Sequence, residues 1–173
     1  MNYRQKPPST TSLNAMYTAR ALLALLLSGI LLAACAPKPE NAQKMLFDAT
    51  KADDVAKVKE ALAHGAKVNE PETPGGWSAL LYAVRNGNEK LVKVLLDAGA
   101  NAEYAGVFPA PPGGTSAPVT PVVVAQMTLS LIADLKKDPM LRVSDPAEDT
   151  RYRAPDAAQR YQNIVTLLEQ AKK

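Results

Sequence analysis

The chain has 173 residues, 21 % of them charged, and a formal net charge of +3 that comes from Arg4, Lys6 and Arg20. Beyond residue 34 it carries 17 Lys and Arg against 17 Asp and Glu, so that part is neutral and lacks the basic footprint of a nucleic-acid binder. One cysteine and one histidine exclude an intramolecular disulfide and a Cys/His zinc site, which leaves one small domain stabilised by packing alone.

The first element in chain order is an export segment. Arg20 precedes a charge-free run from Ala21 to Leu32, which is followed by Ala33-Ala34-Cys35. Such a run is too short to span a ~30 Å hydrocarbon core as a helix. A positive flank, a short apolar core and small residues at a cut site mark a secretory signal. Leu32-Ala33-Ala34-Cys35 resembles the lipobox of bacterial lipoprotein precursors, in which the cysteine is lipidated and the chain cleaved before it. The resemblance implies a signal peptide over 1–34, an acylated N-terminus at Cys35, a lipid anchor in a membrane, and a tether over 35–41. Ala36 stands where lipoproteins retained in the inner membrane usually carry aspartate, which implies the outer membrane, facing the periplasm. Met16 opens a compact Met-Tyr-Thr-Ala-Arg leader and is a candidate true start. The competing reading is an uncleaved anchor with Cys35 as an incidental buried thiol.

A period of 34 organises the rest. Gly76-Trp77-Ser78-Ala79-Leu80-Leu81-Tyr82-Ala83 leads to Asn86-Gly87-Asn88, then Leu91-Val92-Lys93-Val94-Leu95-Leu96, then Ala98-Gly99-Ala100-Asn101. Leu80, Ala83 and Val84 share one helical face, as do Val92, Leu95 and Leu96. Glycine just beyond each run is a C-terminal stop, because the left-handed region costs it little. The segment resembles an ankyrin repeat over nearly the whole consensus, with Ser78-Ala79-Leu80 in place of Thr-Pro-Leu and Leu81 in place of the family's histidine. Thirty-four residues earlier, Leu46, Ala49, Val58, Leu62 and Gly65-Ala66 form a degraded copy, with Asp53 in place of the inter-helix glycine. That copy suits an N-terminal cap, whose outer face meets water.

The third copy is split. Thr120-Pro121-Val122 restores the opening element, displaced by 42, and Ile164 to Leu168 restores the second helix, displaced by 72, so 30 extra residues lie between. An apolar stripe carries the first helix to about Lys137, and Asp138 to Asp156 reads as an irregular loop. Tyr104 to Val119, rich in Pro and Gly, reads as a long exposed finger. The helix ending at Gln170-Ala171 is expected to cap the array. The expected fold is therefore an all-α ankyrin-like solenoid of three helix-turn-helix repeats, at about 42–74, 75–107 and 118–173, with Leu96 between its helix layers.

Catalytic residues do not assemble from this sequence. His64 falls at a helix end before Gly65, a capping place. Asp145, Glu148 and Asp149 lack the glycine and terminal glutamate of a calcium loop. No enzyme, cofactor or metal is expected. The resemblance implies protein binding through hairpin tips and the inner face of the first helices, which points to Trp77, Arg85 and Asn86, with Lys51 in the capping copy. Trp77 fits packing over the hairpin equally well. Phe108, an apolar ring among prolines, adds a candidate anchor on the finger, and the insertion is the second candidate region. By analogy with small lipid-anchored interaction domains, the role expected is an immunity protein against a periplasm-targeted effector. The alternative is an envelope accessory that scaffolds a periplasmic enzyme.

Overall fold

Four of the seven helices among the described residues start where a side chain takes an orphan backbone amide. The structure, a computed structural model, describes residues 39–107 and 117–172. Helix α1 is Pro39–Lys51. Asp54 accepts the Lys57 amide at 3.0 Å and opens α2, Val55–Ala63. Ser78 accepts the Leu81 amide and opens α3, Ala79–Asn86. Asn88 accepts the Leu91 amide at 3.0 Å and opens α4, Glu89–Asp97. Proline at the first turn, after the extended Thr120, opens α5, Pro121–Lys137. Helices α6, Pro146–Tyr152, and α7, Ala157–Gln170, complete the seven among the described residues.

Left-handed residues make the turns. Gly87 has φ +66°, and Gly65 and Gly99, past the second helices, have φ +89° and +86°. Asp53, which replaces glycine between α1 and α2, sits at φ 57°, the one non-glycine with positive φ among the described residues. At Gly87 a second constraint operates: a Cβ there would lie 2.8 Å from the Tyr161 ring.

The first helices α1, α3 and α5 pack side by side, and the second helices α2, α4 and α7 form the other layer. Between them lies one core, with Leu46, Val58, Leu80, Leu81, Leu91, Leu95, Ile132, Tyr161, Ile164 and Leu168 almost fully buried. Buried hydroxyls return to their own helix, Thr50 donating to the Leu46 carbonyl and Thr128 to that of Val124. Asn69 stitches adjacent repeats, its amide donating to the Gly99 carbonyl at 2.9 Å and its oxygen accepting the Asn101 amide at 2.7 Å. Tyr161 does the same for the third repeat, donating to the Arg85 carbonyl at 2.6 Å.

Four expectations change. Helix α1 begins at Pro39, so the last residues of the expected 35–41 tether are helical. The finger starts and ends as a two-stranded antiparallel ribbon, β1 Gly106–Val107 against β2 Pro118–Val119, a small departure from an all-α fold. The ribbon is seated on the second repeat, with the Val107 amide on the Gly75 carbonyl and the Tyr104 hydroxyl on that of Gly76. Asp138 to Asp156 is irregular except for one short helix. Asp145 caps the Ala147 amide, Pro146 starts α6, and Tyr152 is buried 6.1 Å from Tyr161. Arg153 staples the loop down, donating to the carbonyls of Leu135 and Leu141 and to Asp149. Finally, Leu96 is only partly buried; on α4 the inward residues are Leu91, Val92 and Leu95.

The test of this packing is Leu95→Ala, which should cost ~2–5 kcal/mol because the surrounding layers cannot collapse onto the space. Leu96→Ala should cost less, and Leu141→Ala, on the exposed loop, should stay within ~0.5 kcal/mol. Urea unfolding of the three variants checks the order, and equal losses would contradict the layered core.

Candidate binding surface

The inner face is built from the last turns of α1 and α3. Tyr82 stands at its centre, half-buried, with Trp77 at 5.2 Å and Phe47 edge-on at 6.3 Å. Two cations lie over these rings: Lys51 at 4.9 Å from the Tyr82 centroid and Arg85 at 5.8 Å from that of Trp77. Each cation also has a carboxylate. Lys51 pairs with Glu72 at 2.5 Å, and Glu72 in turn accepts the Tyr82 hydroxyl at 2.6 Å. Arg85 pairs with Glu148 of α6 at 2.5 Å.

Three cavities run along this face. One of about 560 Å³ follows α1 past Gln43, Phe47 and Glu72. The next, about 350 Å³, has Trp77, Tyr82 and Arg85 as floor, with Glu72 and Val107 of the finger base at its sides. The third, about 320 Å³, lies between Lys51, Tyr82, Arg85 and Asn86 and the inserted Asp145, Glu148 and Arg151. Glu72 joins the first two, and Tyr82 with Arg85 joins the last two. The result is a groove from the first repeat to the insertion.

Charge in the groove is settled internally. Burial works against an ionised Glu72, but the Lys51 ammonium and the Tyr82 hydroxyl outweigh it and hold the carboxyl below its usual range. Burial first, and the Glu72 carboxylate second, push Tyr82 up to about 12. Above all the Val143 amide, with Arg153, holds Asp149 low.

The sequence candidates fall in three groups. Lys51 and Arg85 line the groove with partly exposed side chains. Trp77 is buried to 5 % exposure, so it is a wall of the groove and not a projecting anchor, because the Gly106 ribbon and Tyr82 close over its backbone and ring. Asn86 lines the third cavity and also ties α3 to the turn after α1, its amide donating to the Thr50 carbonyl and to Asp53. Cys35 and Phe108 lie outside the described residues. His64 is the C-cap of α2, 3.7 Å from Glu60 on the same helix. Among the described residues no group of three or more His, Cys, Asp or Glu is placed to hold a metal ion.

Three groove residues were missed. Tyr82, next to the core-facing Leu81, reads as a partly buried filler, which its burial matches while its place in the groove goes unread, and Glu72 sits in a loop with no periodicity. Glu148 carried a usable signal, since Asp145-Pro146 is a helix start with acids in its first turn.

A family model described as ankyrin repeats (3 copies) matches residues 14–105, just over half of the chain. The matched span includes the apolar run Ala21–Leu32, which lies outside the described residues. Over 95 residues the chain is 35 % identical to the human mitochondrial disaggregase, covering 54 % of this chain and 13 % of that protein. It is 39 % identical over 66 residues to the ankyrin repeat, SAM and basic leucine zipper domain-containing protein 1 of Mustela putorius furo, covering 38 % of this chain and 14 % of that one. With the human NAD-capped RNA hydrolase NUDT12 it shares 38 % identity over 48 residues, 28 % of this chain and 10 % of the hydrolase. The chain thus spans at most about a seventh of these relatives.

The tyrosine gives the groove a pH signature. Because the folded pKa of Tyr82, about 12, lies above its unfolded value near 10, its contribution is present below pH 10 and is lost as pH rises from 10 to about 12. The melting temperature should fall across that window, less steeply for Tyr82→Phe, and absorbance at alkaline pH reports the same titration. An identical slope for both proteins would refute the coupling.

Proposed function

The chain belongs to the ankyrin-repeat family, and from that premise we propose that it is a non-enzymatic protein-binding module whose contact surface is the groove over Tyr82 and Arg85. One observation carries the reading. The groove sets tyrosine, arginine and a tryptophan wall side by side, the residue types that dominate protein-protein hot spots, and opens to solvent on the face the repeats leave uncovered. Phe108 belongs to the proposal as the residue following Val107 at the groove edge.

The setting proposed is a membrane surface. Leu32-Ala33-Ala34-Cys35 supports acylation at Cys35 and, with Ala36, an outer-membrane position facing the periplasm. Among the described residues no helix is long and apolar enough to cross a membrane; in this reading the lipid on Cys35 holds the repeats at the surface. There we read the module as an immunity protein that masks a toxic effector arriving in the periplasm; the support is analogy with small lipid-anchored interaction domains.

Two experiments test these proposals separately. Cys35→Ala should convert a membrane-bound, acylated product into an unacylated one; intact mass that retains residues ahead of Cys35 in the wild type would refute the anchor. Affinity capture from an envelope extract should recover a partner with the wild-type protein and lose it by about tenfold or more, ~1.4 kcal/mol, with Lys51→Ala/Arg85→Ala. These side chains are partly exposed, so circular dichroism should show an intact fold. Undiminished capture would place the contact surface elsewhere.

A further inference from the structure

Arg85 is the wall shared by the second and third cavities, and its guanidinium is already occupied. Nε and Nη2 both reach Oε1 of Glu148, at 2.6 and 2.5 Å. That carboxylate comes from 63 residues away, on the one helix that the repeat architecture does not need. Lys51, by contrast, takes its carboxylate from Glu72, in the loop next to it in the array. The insertion has placed an acid on a groove cation that the repeats leave without one.

We propose that Arg85 is the receptor for a carboxylate presented by a protein partner, and that Glu148 holds that place until the partner arrives. This rests on the protein-binding reading above. Both nitrogens converge on the single oxygen Oε1, so Glu148 does not fill the two-oxygen fork that arginine offers a carboxylate. The pair is open to solvent on the Arg85 side, with side-chain exposures of 39 % for Arg85 and 16 % for Glu148, so an incoming carboxylate can reach the guanidinium. Exchange needs no unfolding, because α6 is anchored independently by buried Tyr152 and by the Asp145 cap. Rotation of the Glu148 side chain suffices. With Glu148 turned aside, the adjoining 320 Å³ cavity presents Arg85 and Arg151 beside Asp145, which is engaged with the Ala147 amide, while Lys51 stays paired with Glu72. Two cations against one committed acid favour an acidic segment locally, and a basic segment would meet repulsion.

The test uses a blocked, fluorescein-labelled pentapeptide, Pro-Ala-Glu-Asp-Thr, matching residues 146–150, and its counterpart with Gln for Glu. Glu148→Gln keeps the side chain's size and removes its charge, so it should bind the acidic peptide about tenfold more tightly than wild type by fluorescence anisotropy. Arg85→Gln/Glu148→Gln should lose that gain, and the Gln peptide should show none of it. A second measurement needs no variant: in wild-type protein the Arg85 Nε–H resonance should move on adding the acidic peptide and stay in place with the Gln peptide. Binding to Glu148→Gln no tighter than to wild type, undiminished binding to the double variant, or an unmoved Arg85 resonance would overturn the proposal. The titration needs no natural partner, so failure of the capture experiment to recover one leaves its result readable.

Discussion

The hydrogen bond from Tyr161 to the Arg85 carbonyl, packed against Gly87, is the contact on which the unusual part of this molecule depends. A split repeat has an entropic difficulty: its two helices are joined by a long connection whose closure must be offset by contacts made at the far end. Tyr161 meets that requirement. Its ring occupies the space a side chain at residue 87 would fill, and its hydroxyl satisfies a carbonyl at the end of α3. Gly87 is therefore required twice, by its positive φ and by the ring. Once α7 is docked there, α6 has a floor for Tyr152, and the insertion becomes a fixed wall.

That wall decides the character of the groove. On an uninterrupted array the inner face would end at α5 and be open; here Asp145, Glu148 and Arg151 close one end and the Gly106–Val107 ribbon stands at the side. Lys51 and Glu72 compensate each other, as do Arg85 and Glu148, so the groove exerts no strong field of one sign. On the proposed reading, recognition depends on shape, aromatic contact and exchange of paired charges. Long-range steering, which needs an uncompensated field, contributes little.

Much of this was legible in the sequence because the repeat constrains backbone and core at fixed positions. The turns at Gly65, Gly87 and Gly99, the left-handed Asp53 and the Thr120-Pro121 start follow from residue types that tolerate those conformations better than most, and the buried Leu168 follows from its place in the repeat. What the sequence left open or misplaced has physical causes. Leu95 and Leu96 satisfy the same helical stripe, and only the angle between layers makes Leu95 the buried one. Trp77 follows a glycine in either reading, and the ribbon that covers it comes from a segment near residue 106. Glu148 lay in a stretch whose composition outweighed a cap signal at Asp145. For Leu95 and Trp77 the deciding neighbour is remote in sequence.

The ties between repeats and the contacts in the groove belong to different classes of interaction. Asn69 to Gly99, Asn86 to Thr50 and Tyr161 to Arg85 are neutral side chains bonded to the backbone of an adjacent unit. They are insensitive to which side chains the neighbour carries, and salt does not screen them. The groove contacts are ion pairs with solvent access, worth roughly 0–1 kcal/mol each, and screened beyond about 8 Å at physiological ionic strength. Exchanging Lys51, Glu72, Arg85 or Glu148 for other polar residues therefore changes what the groove recognises while leaving the repeat stack bonded through its backbone. Arg85 shows the separation within one residue: its carbonyl holds the third repeat, and its side chain remains available to the groove.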